Sequence, residues 1–507
     1  MKRLMMITLI AGCASTVSAQ GTDDALRFNE SNVMGSSRSI AMGGAFGALG
    51  ADLSSAAINP AGLGAYRASE ASMTLGINFN EIKTLQKFDP KEDDLNVERS
   101  DDKISVPFNQ IGVTFTSMLS REATQGVVGM TFGVAYNRLA DYTSNAYFRC
   151  DEQYNSLLDH FVYNVNDDFG GGLAYDNGMI VGLVDDGNNF LYNINDWENV
   201  DENGDPVREA TINQWKYLRK RGYKGEFDFS YAINISHKLY LGATIGVQSY
   251  YYDEKSLHCE TYNGTAYSGR NDFDYETRLT QDGTGINFKI GAIFKPVSFV
   301  RLGIAVHTPT FMSINEDYDA TFTSYDERNY YRTESPYGEY EYNYRTPGRL
   351  IASAAFVVAN QGLLSFDYDY SNYSNGKFDA KSDSYDNFDS NNSEVESQLD
   401  AVHTIRIGAE WKVIDEFFLR AGFRTSSAPI KDRVGSLKLI DHSMKDNTAS
   451  FGFGYRSNAF FIDMACALTS RQGNHIVFPT CEYDSKMEMA KVKTSNTLVS
   501  ATFGFRF

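Results

Sequence analysis

Residues Thr497–Phe507 read TLVSATFGFRF. Thr497, Val499, Ala501, Phe503, Phe505 and Phe507 occupy one side of an extended chain. Leu498, Ser500, Thr502, Gly504 and Arg506 occupy the other. Successive side chains of a strand point to opposite faces, so this is a strand with one apolar face. The pattern recurs in GEFDFSYAINIS (225–236), LLSFDYDYS (363–371) and HTIRIGAEWKV (403–413). In the last, Ile405, Ile407, Ala409, Trp411 and Val413 oppose Thr404, Arg406, Gly408, Glu410 and Lys412.

About fourteen such segments are found, near 71–79, 109–118, 126–138, 225–236, 239–254, 285–295, 299–312, 347–358, 363–373, 401–413, 416–425, 449–456, 459–469 and 496–507. An aromatic content of 14%, with 42 glycines and only 10 prolines, suits strands better than helices. The connections alternate in length. Short ones lie at His237-Lys238, Pro296-Val297-Ser298, Asn360-Gln361-Gly362, Ile414-Asp415 and Ser457-Asn458. Long polar ones fall near 80–108, 139–224, 255–284, 313–346, 374–400, 426–448 and 470–495. Short turns at one end, long loops at the other and an even strand count are the pattern of a transmembrane β-barrel. The expected fold is therefore all-β: a 14-stranded antiparallel barrel of the outer membrane. Its apolar faces would meet lipid and its polar faces the lumen.

The first residues agree with export. Lys2 and Arg3 precede the apolar run Leu4–Ala11, and Val17-Ser18-Ala19 offers a small-residue cleavage site. A competing lipoprotein box ends at Cys13, whose lipidation is left open. No later run is long and apolar enough for a membrane helix. The formal charge of −19 argues against nucleic acid as a partner, since there is no basic excess to neutralise phosphates. Cys150, Cys259, Cys466 and Cys481 are too far apart for a zinc motif; their pairing cannot be read, and Cys466 reads as a small buried hydrophobe. No cofactor or metal is expected.

Residues 35–64 do not alternate and hold seven glycines. Their spacing fits no phosphate-binding loop. Small residues there would let backbone pack closely in a confined space. Asn59-Pro60-Ala61-Gly62 reads as a turn, with asparagine first, proline second and glycine fourth. It would hand this segment into the first strand.

At these residues the chain resembles the FadL/TodX family of outer-membrane transport proteins. The matching stretch is SRSIAMGGAFGALGADLSSAAINPAGLGAY, Ser37 to Tyr66. Thr346–Phe356, Arg301–Phe311 and Phe418–Ile430 also look familial. The resemblance implies, after the signal peptide read above (1–19), an N-terminal hatch or plug (20–68) and a barrel (69–507). It implies passive uptake of hydrophobic small molecules, long-chain fatty acids or aromatic hydrocarbons, across the outer membrane of a Gram-negative bacterium. They would leave sideways into lipid beside a kinked third strand, where Gly129 and Gly133 are the candidate gate. The hatch turn would be Asn59, Pro60, Ala61 and Gly62. The strand ending at Phe507 resembles the signal read by the barrel assembly machinery. Alternatives from other classes are a secretion-system adaptor and a surface receptor or adhesin.

Enzyme chemistry has little to rest on: no GxSxG or HExxH occurs, and the seven histidines are scattered. Asn199, Asp201, Asn203 and Gly204 partly resemble a calcium loop, but Ala210 stands where its bidentate glutamate belongs. The tyrosine-rich stretch Asp326–Arg345 reads as a strand extension above the membrane, or alternatively as a surface recognition patch. Asp228, Lys289, Arg301, Asp367, Asp369, Arg406, Glu410, Arg420, Asp463 and Arg506 are expected in the lumen, paired with one another and with the hatch. Ligand-binding residues are not assigned.

Overall fold

Fourteen antiparallel strands pair in chain order, and the last pairs with the first. In this computed structural model they are β1 (Glu70–Gln86), β2 (Phe108–Met118), β3 (Val127–Asp141), β4 (Thr211–Ile235), β5 (Leu239–Asn263), β6 (Asp272–Val297) and β7 (Val300–His307). The circuit continues through β8 (Arg349–Val358), β9 (Gly362–Asn372), β10 (Ala401–Lys412), β11 (Phe417–Ser426), β12 (Asp446–Arg456), β13 (Phe460–Ile476) and β14 (Met489–Arg506). The seam runs from Glu70↔Arg506 to Leu85↔Lys491, which leaves the wall without an open edge. The structure describes residues 21–32, 34–86, 97–119, 125–153, 156–163, 169–185, 188–193, 211–263, 272–326, 328–359, 361–381, 387–431, 433–434, 437–438, 446–476 and 489–507. The expected signal peptide, Cys13, Cys481 and the calcium-like loop 199–210 lie outside them.

The alternation in the sequence is an alternation between two surroundings. Along β4, Phe227, Phe229 and Tyr231 are 45–49% exposed, whereas Glu226, Asp228 and Ser230 are at most 1% exposed. On β10, Ile405 and Trp411 face outward and Thr404 and Arg406 inward; on β14, Phe503 and Phe505 face outward and Ser500 and Thr502 inward. A soluble barrel would bury the aromatics. Here the apolar belt is outside, as a lipid-facing wall requires, and the chain is a transmembrane barrel.

Each of the fourteen expected strands is present, but their ends differ from the sequence reading. β4, β5 and β6 have 25, 25 and 26 residues, more than twice the ~9–11 that cross a bilayer. Parts of the expected loops 139–224, 255–284 and 313–346 are therefore strand. Above the bilayer no lipid selects an apolar outer face, so the periodicity fades while the ladder continues.

Pro309 and Pro347 sit where two neighbouring strands break at one level, since neither can donate to a ladder. Beyond the breaks, Phe311–Tyr325 pairs with β6 and with Gly338–Arg345. Tyr330–Glu334 pairs with Thr321–Tyr325, so the tyrosine-rich stretch extends the wall. Two short helices, Leu157–Tyr163 and Phe169–Asn177, cover this extension through Phe161 and Leu173, which pack on Phe273, Tyr275 and Phe322. Cys150 and Cys259 are buried. Cys466 departs from expectation: the pleat puts it half-buried on the outward face rather than in a core.

Candidate functional site

Before β1 the chain runs inside the barrel, from the long-loop end to the short-turn end. It forms α1 (Thr22–Asn29), α2 (Ser37–Ala41), α3 (Ser55–Ile58) and a 3-10 helix (Pro60–Ala65). Most of Ser36–Gly64 is buried, including Phe46, Ala48 and Leu63. Asn59-Pro60-Ala61-Gly62 form the first turn of the 3-10 helix. The Asn59 Oδ1 accepts the Ala61 N–H at 3.2 Å, and the Gly62 N–H donates to the Asn59 carbonyl at 2.9 Å. The Asn59 Nδ2 donates to the Gly47 carbonyl at 2.6 Å and lies 3.4 Å from the carbonyls of Ala292 on β6 and Ile304 on β7. One side chain thus ties two parts of the segment to each other and holds them against the wall.

The wall makes room for this backbone. A Cβ on Gly291 would strike Asn59, and one on Gly242 would strike the Pro60 backbone. Gly303 stands in the same relation to Gly47, and Gly408 and Gly422 to Met42 and Gly43. Lumen-facing glycines and small residues of the segment are matched across one interface. Gly43 and Gly44 also take φ of +64° and +76°, a left-handed conformation that side chains oppose.

Charges complete the contact. Arg38 of α2 forms a two-pronged pair with Glu410, Nε to Oε2 at 2.9 Å and Nη2 to Oε1 at 3.0 Å. Glu410 also meets Arg420 at 2.6 Å, and Arg420 meets Asp463 at 2.7 Å. Asp367 accepts the Gly47 N–H at 2.8 Å, and Thr502 accepts the Ser37 N–H at 2.7 Å. Lys289 pairs with Glu226 and with Asp228, the latter at 2.8 Å. Asp369 serves both Arg349 and Arg406, and Arg506 meets Glu70 at 3.1 Å. Eight of the ten charges expected in the lumen are thus ion-paired there, and Asp367 is held by the backbone of the segment. The exception is Arg301, whose buried Nε has no hydrogen-bond partner among the described residues. Two guanidiniums around one buried carboxylate offset part of the desolvation cost of each.

Above this packed zone, α1 carries Phe28 into a ring of aromatics. Its side chain is fully buried, with the rings of Tyr250, Tyr342, Tyr344 and Phe378 centred 4.9–6.5 Å away. Arg27 lies 4.1 Å over Tyr252, and Lys224 donates to the Phe28 carbonyl at 2.8 Å. Two adjoining cavities, about 420 and 370 Å³, lie between α1 and the deeper segment. Glu30, Asn32, Leu139, Arg349, Arg406 and Arg471 line both. Sequence reasoning had placed Arg406, Asp369, Lys289, Thr404 and Leu498 of these walls in the lumen. Arg27 and Glu30 sit on the segment and Arg349 and Arg471 near strand ends, where alternation gives no direction.

Gly129 and Gly133 lie on β3. Gly129 abuts Met118 of β2, while a Cβ on Gly133 would be 3.3 Å from Leu63 of the segment. The pairing of β3 with β4 slips twice, at Val127/Gly129 and at Arg138/Ala140. These two irregularities bracket Gly133 without including it.

No family model matches the sequence, and no curated protein matches it. Solved structures do. The crystal structure of a Pseudomonas aeruginosa FadL homologue is similar with a TM-score of 0.54 and 13% identity, over 93% of this chain and 98% of that one. The Ralstonia pickettii toluene transporter TbuX gives 0.50 and 13%, over 95% and 100%. The P. putida toluene transporter TodX gives 0.50 and 12%, over 94% and 99%. At these identities the likeness is one of fold, and it extends over nearly the whole length of both chains.

Proposed function

We propose that this chain is a channel for passive uptake of hydrophobic small molecules through the outer membrane of a Gram-negative bacterium. Residues 20–68 act as its hatch, and residues 1–19 as a signal peptide removed on export. The observation that carries the reading is the packed segment within a closed wall, with cavities on its long-loop side. A solute entering there meets an occupied lumen, so straight passage needs the segment to yield. Sideways exit beside β3 is the second element of the proposal. An apolar solute gains roughly 25 cal/mol for each Å² it moves from water into hydrocarbon, so leaving into lipid is downhill. The twice-slipped pairing of β3 and β4 supports a weak line in the wall. The toluene transporters that share this fold support the chemical class of the cargo.

Mass spectrometry of organic extracts from gently purified protein, with uptake of a labelled apolar compound by cells with and without the protein, tests the reading. Co-purified apolar molecules and faster uptake are expected. An empty lumen and equal uptake would sink it, and a stoichiometric protein partner would then favour the adaptor alternative.

A further inference from the structure

The second cavity has one wall whose chemistry differs from that of the aromatic ring around Phe28. Asn80 of β1, Asn496 of β14, Thr469 of β13, Thr448 of β12 and Arg424 of β11 stand in register, each the cross-strand partner of the next. Neighbouring strands lie ~4.8 Å apart, so amide, hydroxyl and guanidinium groups form one row across five strands. All five residues line the cavity, as does Asn78, two residues along β1. Polar atoms of both kinds are left over here. The Oδ1 atoms of Asn78, Asn80 and Asp446 are acceptors with no donor among the described residues. The Nε atoms of Arg27 and Arg424 are donors with no acceptor among them. Arg27 and Asp446 line the same cavity. Asn78 is 2% exposed and Asp446 8%, so bulk water has little access to either. Existing bonds determine which atoms remain. The Asn80 Nδ2 donates to the Thr143 carbonyl at 3.0 Å, which leaves its oxygen. The Asp446 Oδ2 receives Arg424 and Arg471, each at 3.1 Å, which leaves Oδ1. Unmet acceptors and donors in one enclosed space favour a ligand that satisfies both.

We infer that the second cavity binds an uncharged, polyhydroxylated solute, a sugar or polyol. Its hydroxyls donate to Asn78, Asn80 and Asp446 and accept from Arg424. This goes beyond the uptake reading, because it adds a second class of solute to the lumen. A carboxylate only accepts and an ammonium only donates, whereas a hydroxyl does both. A carboxylate would therefore face the three acceptor oxygens without a proton to give, and an ammonium would leave the guanidinium donor unmet. An apolar solute would bury both kinds of atom unsatisfied. The volume of about 370 Å³ lies within the ~300–1,000 Å³ of small-molecule sites.

The test is a saturation-transfer NMR titration of the full chain in nanodiscs of neutral phospholipid, prepared without sugar-based detergent. The probes are D-glucose, D-glucuronate and D-glucosamine, which share a ring and differ in charge. Glucose should bind saturably and at least ~5-fold more tightly than either charged analogue, the scale of one to two hydrogen bonds. Asn78→Leu and Asn80→Leu each remove one acceptor, and each should weaken glucose binding about fivefold. The difference in gel mobility between unboiled and boiled samples verifies that the variants fold, and the comparison of the three probes on the unmodified chain stands without them. Absence of saturable glucose binding, or tighter binding of a charged analogue, overturns the inference. Full glucose affinity in both folded variants overturns the assignment to this wall. Uptake of a labelled apolar compound is measured separately, so a failure here leaves the uptake reading standing, and a failure there leaves this one.

Discussion

Replacing Asn59 with alanine should loosen the segment and spare the wall. The side chain is 1% exposed and makes two contacts at hydrogen-bond length within the segment, at 2.6 Å to the Gly47 carbonyl and 3.2 Å from the Ala61 N–H. Alanine replaces neither, and water has little access, so two buried backbone groups lose their partner. At ~1–3 kcal/mol for each unsatisfied group, about 3 kcal/mol is expected, roughly a hundredfold rise in the open population. Hydrogen exchange over residues 37–66 reads that population directly, and brief conductance steps in planar bilayers report it independently. A second substitution sharpens the test. A methyl at Gly291 would collide with Asn59, but in the Asn59→Ala background it has space. Gly291→Ala should therefore destabilise the segment alone and much less in the double variant, with a coupling of about 1–2 kcal/mol. Exchange unaltered by Asn59→Ala, or strict additivity in the double variant, would refute the reasoning.

Gly133→Val should slow uptake of apolar cargo while the barrel still folds. Its side chain would press on Leu63, at an overpacking cost of about 1–3 kcal/mol, and would thicken the proposed exit; unchanged uptake would remove β3 as the route. Phe451, 55% exposed in the middle of β12, marks the lipid belt. Phe451→Arg should reduce the free energy of folding into liposomes by ~2–4 kcal/mol, read as a lower urea midpoint, whereas a midpoint unmoved by the charge would contradict a lipid-facing position there.

What the sequence disclosed follows the boundary between lipid and water. Phe227, Phe229 and Tyr231 announced the outward face of β4 because hydrocarbon tolerates only apolar groups. Asp228, Asp367 and Glu410 announced the lumen by the same alternation. Beyond the bilayer the rule lapses. Thr211–Lys224 and Asp272–Gly283 were read as loop because both faces of the extended sheet are covered by protein or wetted by water. Asn59-Pro60 could be read as a turn from its chemistry alone. Its distant partners could not: Gly47 lies twelve residues earlier, and Gly242 and Gly291 belong to strands whose glycines look ordinary in one dimension. Arg38, Glu70 and Arg349 were missed for a related reason, since each lies outside the alternating core of a strand. The cavity needed three dimensions, because α1, β8, β10 and β13 all contribute to its walls.

The seam joins residues more than four hundred positions apart, and the internal segment is fastened to it. Ser37 bonds to Ser500 and Thr502, Glu70 to Arg506, and Thr74 to Thr502. The cylinder cannot close until its last strand arrives, and that strand supplies the acceptor for Ser37. The segment's bonds to the last strand can therefore form only once that strand is in place. A barrel sealed without its contents would have to admit some thirty residues through its own mouth.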